Sequence, residues 1–305
     1  MGTKWALLFG VTNLACAGLF VIAPFCGWWL PEGVSTHADE VDRLFYIILG
    51  ITGFFFLLTE AVMVLFMARY SRPLGTKLPP GEVPFWLKPL ANVLNTEHKI
   101  EMAWTVLPAA ILLYIAFAQI DTWANIKYVS RQEGFIGKQT AVQMEVSARQ
   151  FEWRVRYPSS KRFREWLTKD DKAILDAKSF GGMTQSDDVH VVNELHVWKD
   201  NPVVIHLGTR DVIHSFNLPH MRVKQDALPG KIIPVWFKPT LENVDPEGKQ
   251  MVDAEGKAIR IWELACAELC GWGHGRMVGK IYVHKIEEEF LAWLEKAEAS
   301  QRSYK

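Results

Sequence analysis

The sequence predicts a membrane-anchored all-β protein, with two or three N-terminal transmembrane helices followed by a Greek-key sandwich or barrel. Three observations carry this expectation. Most of the first 125 of the 305 residues fall in three apolar runs. From Thr140 onward the chain turns polar and breaks into short segments alternating apolar and polar residues, the signature of half-buried strands. Basic residues gather on one side of the apolar runs and acidic residues on the other, as in a chain threaded through a bilayer.

The first run extends from Trp5 to Pro24 behind Lys4. It could be a secretory signal peptide or a retained helix. No clear small-x-small cleavage site follows it, and the Trp28-Trp29 pair resembles an interfacial anchor, which favours a retained third helix. The second run, Leu44 to Ala68, is long enough to cross a hydrocarbon core of roughly 30 Å as a helix. The third, Ile100 to Trp123, is similar, with Glu101 at its start and Pro108 within. Between these two lies a proline-rich stretch with Arg69, Arg72, Lys77, Lys88 and Lys99, expected to be cytoplasmic. The loop before Leu44 carries Glu32, Asp39, Glu40 and Asp42. It is expected outside, and so is everything after Trp123.

In the polar half, Val142 to Ser147, Val155 to Tyr157 and Val203 to Leu207 read as strands. Glu247-Gly248-Lys249 and Glu255-Gly256-Lys257 are turn signals flanking an expected hairpin. Residues Ser159 to Met183 form a charged, helix-like insertion, read as a surface excursion without chemistry. The tail from Ile286 to Ala299 places Phe290, Leu291, Trp293 and Leu294 on an acidic background. It reads as an amphipathic helix packing on the barrel or a neighbouring subunit. The expected domains are therefore 1–30, a transmembrane helix or signal segment; 43–124, a helical hairpin with its cytoplasmic loop at 69–99; 125–286, the barrel; and 287–305, the C-terminal helix and tail.

Thirty-four basic residues balance thirty-four acidic ones, so nothing points to nucleic acid. Four cysteines do not make a disulfide framework, because Cys16 and Cys26 lie in or beside an apolar run. No Cys-x-x-Cys-His occurs, which excludes a covalent haem c on this chain.

The chemistry concentrates in Trp262-Glu-Leu-Ala-Cys266-Ala-Glu268-Leu-Cys270-Gly-Trp-Gly-His274-Gly-Arg-Met277. Thiolate and thioether are soft ligands that favour copper in its lower oxidation state, and imidazole suits either state. Two thiolates could bridge two coppers, and Asp211-Val-Ile-His214 offers a second imidazole. The plain alternative is a structural zinc site with Cys-x3-Cys and two histidines, but zinc has little use for Met277. A disulfide between Cys266 and Cys270 would leave the surrounding ligands idle.

On these residues the chain resembles subunit II of the haem-copper cytochrome c oxidases, the type with a dinuclear copper A site. The family pattern Cys-x-Glu-x-Cys-x3-His-x2-Met stands complete as Cys266, Glu268, Cys270, His274 and Met277. Asp211-Val-Ile-His214-Ser-Phe-Asn-Leu-Pro219 and Lys224-Gln-Asp226-Ala-Leu-Pro-Gly230 match a second family segment. The resemblance implies a cupredoxin-like Greek-key barrel with both ligand-bearing segments at one end. It implies that Cys266 and Cys270 bridge the coppers, that His214 and His274 each bind one, and that Met277 is a weak ligand. Glu268 would offer its carbonyl to copper and its carboxylate to a magnesium ion shared with subunit I. Nitrous-oxide reductases have a related site but typically an aromatic residue at that place, so Glu268 favours an oxidase.

Further residues follow from the resemblance. Glu101 stands in Glu101-Met-Ala-Trp104-Thr105-Val-Leu-Pro108, resembling the family's Glu-x-x-Trp-Thr-x-x-Pro near a proton channel, and is the proton-path candidate. Glu60, deeper in its helix, reads first as a helix-packing contact. The family usually has Gln-Trp-x-Trp early in the barrel, and its first Trp is regarded as the point where electrons enter from cytochrome c. Here the segment is Gln150-Phe151-Glu152-Trp153, so Phe151 takes that place. Phe151, Trp153, Trp272 and Asp211 are the candidates for donor docking and electron uptake, Trp272 as the substitute for the missing indole. An exposed Asp before a strand is also simply a solvated group.

The resemblance implies the copper-bearing subunit of a proton-translocating terminal oxidase. Electrons would come from cytochrome c or a similar external donor and pass to haem in subunit I, with subunit III as a further partner. The implied location is a bacterial plasma (inner) membrane, multi-pass, with the copper domain on the periplasmic side. The copper A subunit of a nitric oxide reductase is the alternative. A quinol oxidase subunit would lack the copper ligands, and a copper-delivery protein would need no paired membrane helices.

Overall fold

The computed structural model describes residues 2–70, 97–127, 142–167 and 184–303. Most of the basic loop and the body of the charged insertion lie outside the described residues. The chain divides into two compact units. One comprises Met1–Leu30 with Arg43–Trp123, and the other Pro31–Asp42 with Ala124–Lys305.

The first unit is helical: α1 spans Gly2–Ile22, α2 Ala38–Tyr70 and α3 Glu97–Lys127. Within them, Trp5–Cys26, Ala38–Met67 and Glu101–Lys127 are long and apolar enough to cross a bilayer. Polar groups in such segments find partners inside the protein. The hydroxyls of Thr12, Thr52, Thr59 and Thr105 each donate to the carbonyl four residues back. Glu60 of α2 accepts a 3.0 Å hydrogen bond from the side-chain amide of Asn13 in α1, the helix-packing contact its position suggests. Gly10 lies against Val64 on the same interface, where an added Cβ would stand 3.4 Å from Val64 Cγ1.

The second unit packs two five-stranded sheets face to face. Sheet one runs β3-β2-β1-β5-β8, made of β1 (Val142–Arg149), β2 (Glu152–Tyr157), β3 (Val189–Val192), β5 (Val203–Thr209) and β8 (Ile233–Phe237). Sheet two runs β4-β10-β9-β6-β7, made of β4 (Glu194–Trp198), β6 (His214–Leu218), β7 (Val223–Ala227), β9 (Trp262–Cys266) and β10 (Val278–His284). One parallel pair in each sheet, β1 with β5 and β4 with β10, is embedded among antiparallel neighbours, because consecutive strands switch between sheets. Alternate residues point inward. Met144, Val146, Trp153 and Val155 meet Leu195, Val197, Phe216, Leu264 and Ile281 in a single buried core.

Three further elements close the barrel. Helix α4 (Ser160–Leu167) begins the insertion, and α5 (Glu287–Arg302) is the tail. Phe290 of α5 is buried against Tyr157, Phe163 and Trp198, with ring centroids 5.1–6.0 Å apart. The buried Arg156 guanidinium is held between Glu145 and Asp188, and Arg162 reaches the same Asp188, so the charge is paired on both sides. The linker from α1 to α2 is also part of this unit. Val34 is fully buried in the core, and its neighbours Ser35 and Thr36 pair with Pro239 and Lys238. Arg222 clasps both carboxylate oxygens of Asp42 at 2.6 and 2.9 Å.

The turn signals between β8 and β9 form two tandem turns instead of the flanks of one hairpin. Val244-Asp-Pro-Glu-Gly-Lys and Val252-Asp-Ala-Glu-Gly-Lys repeat at eight-residue spacing. In each, the Asp side chain caps the Lys backbone N–H, at 2.7 and 2.8 Å. Gly248 and Gly256 take the positive φ that closes each turn.

Candidate metal centre

Strands β6 and β9 are antiparallel neighbours with Phe216 opposite Cys266 and Asn217 opposite Ala265. That register brings His214, the first residue of β6, level with the chain just past Cys266, where the Ala267 N–H donates to Ser215. The loop from Ala267 to Met277 then folds back. The Cys266 N–H donates to the Met277 carbonyl, and a short 3-10 turn at His274–Arg276 is held by Gly271 and Gly273 carbonyls. Two segments fifty residues apart in sequence thus meet because a pair of strands aligns them.

The potential ligand atoms converge. Cys266 Sγ and Cys270 Sγ are 3.8 Å apart. His214 Nδ1 lies 3.8 Å from Cys266 Sγ, and His274 Nδ1 lies 3.6 Å from Cys270 Sγ. Met277 Sδ is 3.8 Å from Cys270 Sγ, and the Glu268 carbonyl is 3.2 Å from Cys266 Sγ. His214, Cys266 and Cys270 each place a ligand atom within 4.8 Å of the others. Ligand bonds of about 2.0–2.3 Å at tetrahedral angles set donors roughly 3.5–3.8 Å apart. The observed spacings suit metal-bound donors, with one imidazole beside each sulfur. A thioether and a carbonyl beyond the Cys2His2 set exceed what a closed zinc tetrahedron uses. The donor set fits copper.

Electrostatics favour a cation here. Burial, together with the neighbouring Cys266 thiol, pushes the Cys270 thiol up to about 11, because a second thiolate is disfavoured beside the first. A bound cation reverses that preference. The imidazole of His214 is fully buried, and its Nε2 lies 2.8 Å from Asp211 Oδ1, leaving Nδ1 toward the sulfur. Such a contact fixes the tautomer and orientation of a ligating histidine. Asp211 is therefore not a merely solvated acid. Burial opposes its ionisation, but hydrogen bonds from the Gln150 N–H, His214 and the Val212 N–H outweigh it and hold the carboxyl below its usual range.

The remaining sequence candidates separate. Trp153 is fully buried, its ring 6.3 Å from His214 and 5.5 Å from Phe216. As β2 alternates, its side chain falls on the core face, beside the His214 ring and away from the surface. Phe151 is half-buried and packs edge-on to Trp272 at 5.1 Å. Trp272 is 84% exposed and Leu269 79%, and Arg276 lies 4.8 Å over the Trp272 ring. Glu268 is exposed, while Met277 is buried. Glu101 is exposed in the first turns of α3.

Three residues escaped the sequence reading. Gln150 donates through its side-chain amide to the Cys270 carbonyl at 2.5 Å. Gly271 and Gly273 make room for Phe151, since a Cβ on Gly273 would lie 2.5 Å from the ring. The Gly-Trp-Gly spelling of the loop was the available signal for such a close approach.

Known families match both halves of the chain. A family model described as cytochrome c oxidase subunit II, periplasmic domain, matches residues 142–245, and the transmembrane domain of the same subunit matches residues 86–121. Cytochrome c oxidase subunit 2 of Thermostichus vulcanus is 28% identical over 296 residues, covering 87% of this chain and 77% of that one. The alternative cytochrome c oxidase subunit 2 of Bradyrhizobium diazoefficiens is 25% identical, covering 88% and 83%. The chain belongs to the cytochrome c oxidase subunit II family. Among solved structures, the periplasmic domain of subunit II of cytochrome oxidase from Bradyrhizobium japonicum aligns at 21% identity and a TM-score of 0.37. It covers 54% of this chain and 98% of that one, and at that score it adds nothing to the assignment. The periplasmic-domain match ends at residue 245, where the tandem turns begin. His214 lies inside it and the Cys266–Met277 loop beyond it, so the cysteine loop of this subunit II rests on its own residues and geometry. That His/Cys/Cys cluster is consistent with a copper A site.

Proposed function

We propose that this subunit takes electrons singly from cytochrome c or a similar external donor and delivers them to haem in subunit I of the oxidase. The observation that carries the proposal is the meeting of two imidazoles, two thiols and a thioether at 3.6–3.8 Å spacings. Cys266 and Cys270 would bridge, His214 and His274 would bind one ion each, and Met277 and the Glu268 carbonyl would be weak ligands. Bound there, a dinuclear copper centre would supply one-electron exchange, which a soft thiolate set suits.

The chain's own residues do the rest. Asp211 orients His214, and the core around Trp153 and Phe216 keeps water from its ring. Phe151 and Trp272, with the exposed Leu269, Val212 and Ile213, give an apolar surface beside both ligand segments on which a donor can dock. The Glu268 carboxylate, exposed while its carbonyl faces Cys266, is free to hold a magnesium ion shared with subunit I. Glu101, exposed in the first turns of α3, would be the proton-path residue. Residues Pro31–Asp42, the linker and the first residues of α2, are hydrogen-bonded into the barrel; this supports a multi-pass topology with the barrel and that linker together on the periplasmic side of a bacterial inner membrane. Subunits I and III are the partners in that membrane. The named relatives are oxidase subunits, so the nitric oxide reductase alternative is not carried further.

The test is a copper count and an electron paramagnetic resonance spectrum of the full chain purified in detergent. Two coppers per chain with a seven-line mixed-valence signal are expected. A four-line signal, or zinc in place of copper, would remove the proposal.

A further inference from the structure

All five side-chain donors of the candidate centre are borne by sheet two and its loop, yet the loop's middle is fastened from sheet one. The fastening is the turn between β1 and β2. The backbone N–H of Gln150 donates to Asp211 Oδ2 at 2.7 Å, and Asp211 Oδ1 lies 2.8 Å from His214 Nε2. The side-chain amide of the same residue donates to the Cys270 carbonyl at 2.5 Å. One residue therefore touches both ligand-bearing segments, 61 and 120 positions further along the chain.

The loop is shaped to receive it. Gly271 has φ +133, and a Cβ there would stand 2.8 Å from Gln150 Nε2. Only glycine lets the amide reach the backbone beside it. Phe151, next in the chain, lies over Gly273 and against Trp272, so the contact continues as packing. Cys270 needs such a fixture more than Cys266 does. Cys266 ends a strand and is held by ladder bonds, whereas Cys270 sits within the loop. Among the described hydrogen bonds, the Gln150 amide is the one that ties Cys270 to sheet one.

We propose that Gln150 is a positioning residue that locks the Cys270 thiol and, through Asp211, the His214 imidazole into one ligand geometry. This rests on the copper reading for its purpose, but the lock itself belongs to the metal-free chain. Gln150→Met keeps the side-chain volume and the backbone N–H while deleting the donor. Gln150→Glu sets a carboxylate against the Cys270 carbonyl, an acceptor against an acceptor.

The test uses the full chain in detergent. In the metal-free protein, the alkylation rate of Cys270 by N-ethylmaleimide is followed by mass spectrometry, with Cys266 as internal reference. Gln150→Met is expected to raise the Cys270 rate relative to Cys266 about fivefold, the effect of losing one hydrogen bond of typical net strength. Gln150→Glu is expected to raise it further. After copper loading, both variants should release metal to a chelator about 10–100-fold faster than wild type, the usual size for lost outer-sphere support. An unchanged Cys270:Cys266 ratio in Gln150→Met overturns the proposal, whatever metal the wild type binds. The wild-type copper count separately decides the copper reading. Equal melting temperatures for Gln150→Met and wild type exclude general unfolding as the cause.

Discussion

Acid should weaken the barrel through a buried histidine pair packed against α5. His284 is fully buried, with Nε2 3.1 Å from His196 Nδ1. The His196 ring is sandwiched by Trp293 at 3.7 Å and Tyr282 at 4.5 Å. Burial, and then the neighbouring His196, push His284 down to about 3. Burial also lowers His196, against the opposing pull of Glu194. In the unfolded chain each histidine takes up its proton near pH 6.5, while native His284 stays neutral until far lower pH. The unfolded state therefore binds more protons below pH 6.5, and stability falls as pH falls. From pH 8 to pH 5 the loss due to His284 alone is about 2 kcal/mol, because that whole window lies above its native value. The assay is chemical denaturation of the metal-free full chain in detergent, followed by tryptophan fluorescence between pH 8 and pH 5. His284→Gln retains a side-chain partner for His196 without titrating. It should lose about 2 kcal/mol less than wild type over that interval. Identical pH dependence in the two proteins would refute the assignment of His284 as a neutral buried group.

Four further outcomes are expected. Gly273→Ala places a methyl within 2.5–2.8 Å of three Phe151 ring atoms. It should cost about 1–3 kcal/mol in a denaturation melt, and combining it with Phe151→Ala should recover part of that; purely additive losses would contradict the clash. Asp211→Asn should weaken copper affinity about 10–100-fold in a chelator competition, and wild-type affinity would remove Asp211 as the group that orients His214. Trp272→Phe should slow single-turnover reduction by the donor while leaving the copper spectrum intact, and unchanged kinetics would sink the docking role. Copper loading at pH 7 should release protons into a pH indicator, because burial and Cys266 hold the metal-free Cys270 thiol near 11; uptake without release would speak against thiolate ligation.

The parts legible in the sequence are those set by local pattern. Three apolar runs announce helices because bilayer thickness fixes their length. The Cys266–Met277 cluster is legible because one loop carries five of its members. What sequence hid depends on which strands become neighbours. Trp153 stands in its motif as a candidate for electron uptake, and only β2 alternation shows that its ring enters the core. Asp211 reads as a solvated acid until the β1–β2 turn brings the Gln150 N–H to it. The Pro31–Asp42 linker looks like a spacer between two helices, but Val34 enters the barrel core because β8 leaves an edge beside it. Each of these contacts joins residues far apart in the chain, and no periodicity encodes such a pairing.

The division of labour between strand and loop also orders the expected sensitivities of the centre. His214 and Cys266 stand on adjacent strands whose register is pinned by the buried Phe216 and Leu264 on either side of the pairing. A one-residue slip would carry both donors to the wrong face, so their positions follow from the barrel core itself. Cys270 and His274 stand on the loop, where ladder pairing gives no support. Their spacing to the strand-borne donors is set by a short 3-10 turn, the Gln150 amide and the Phe151 ring over two glycines. Substitutions in the core should therefore lower stability first and disturb the metal spectrum only as the barrel loosens. Substitution of Gln150 should disturb the spectrum at a stability close to wild type, because it acts on the half of the ligand set that the barrel does not hold.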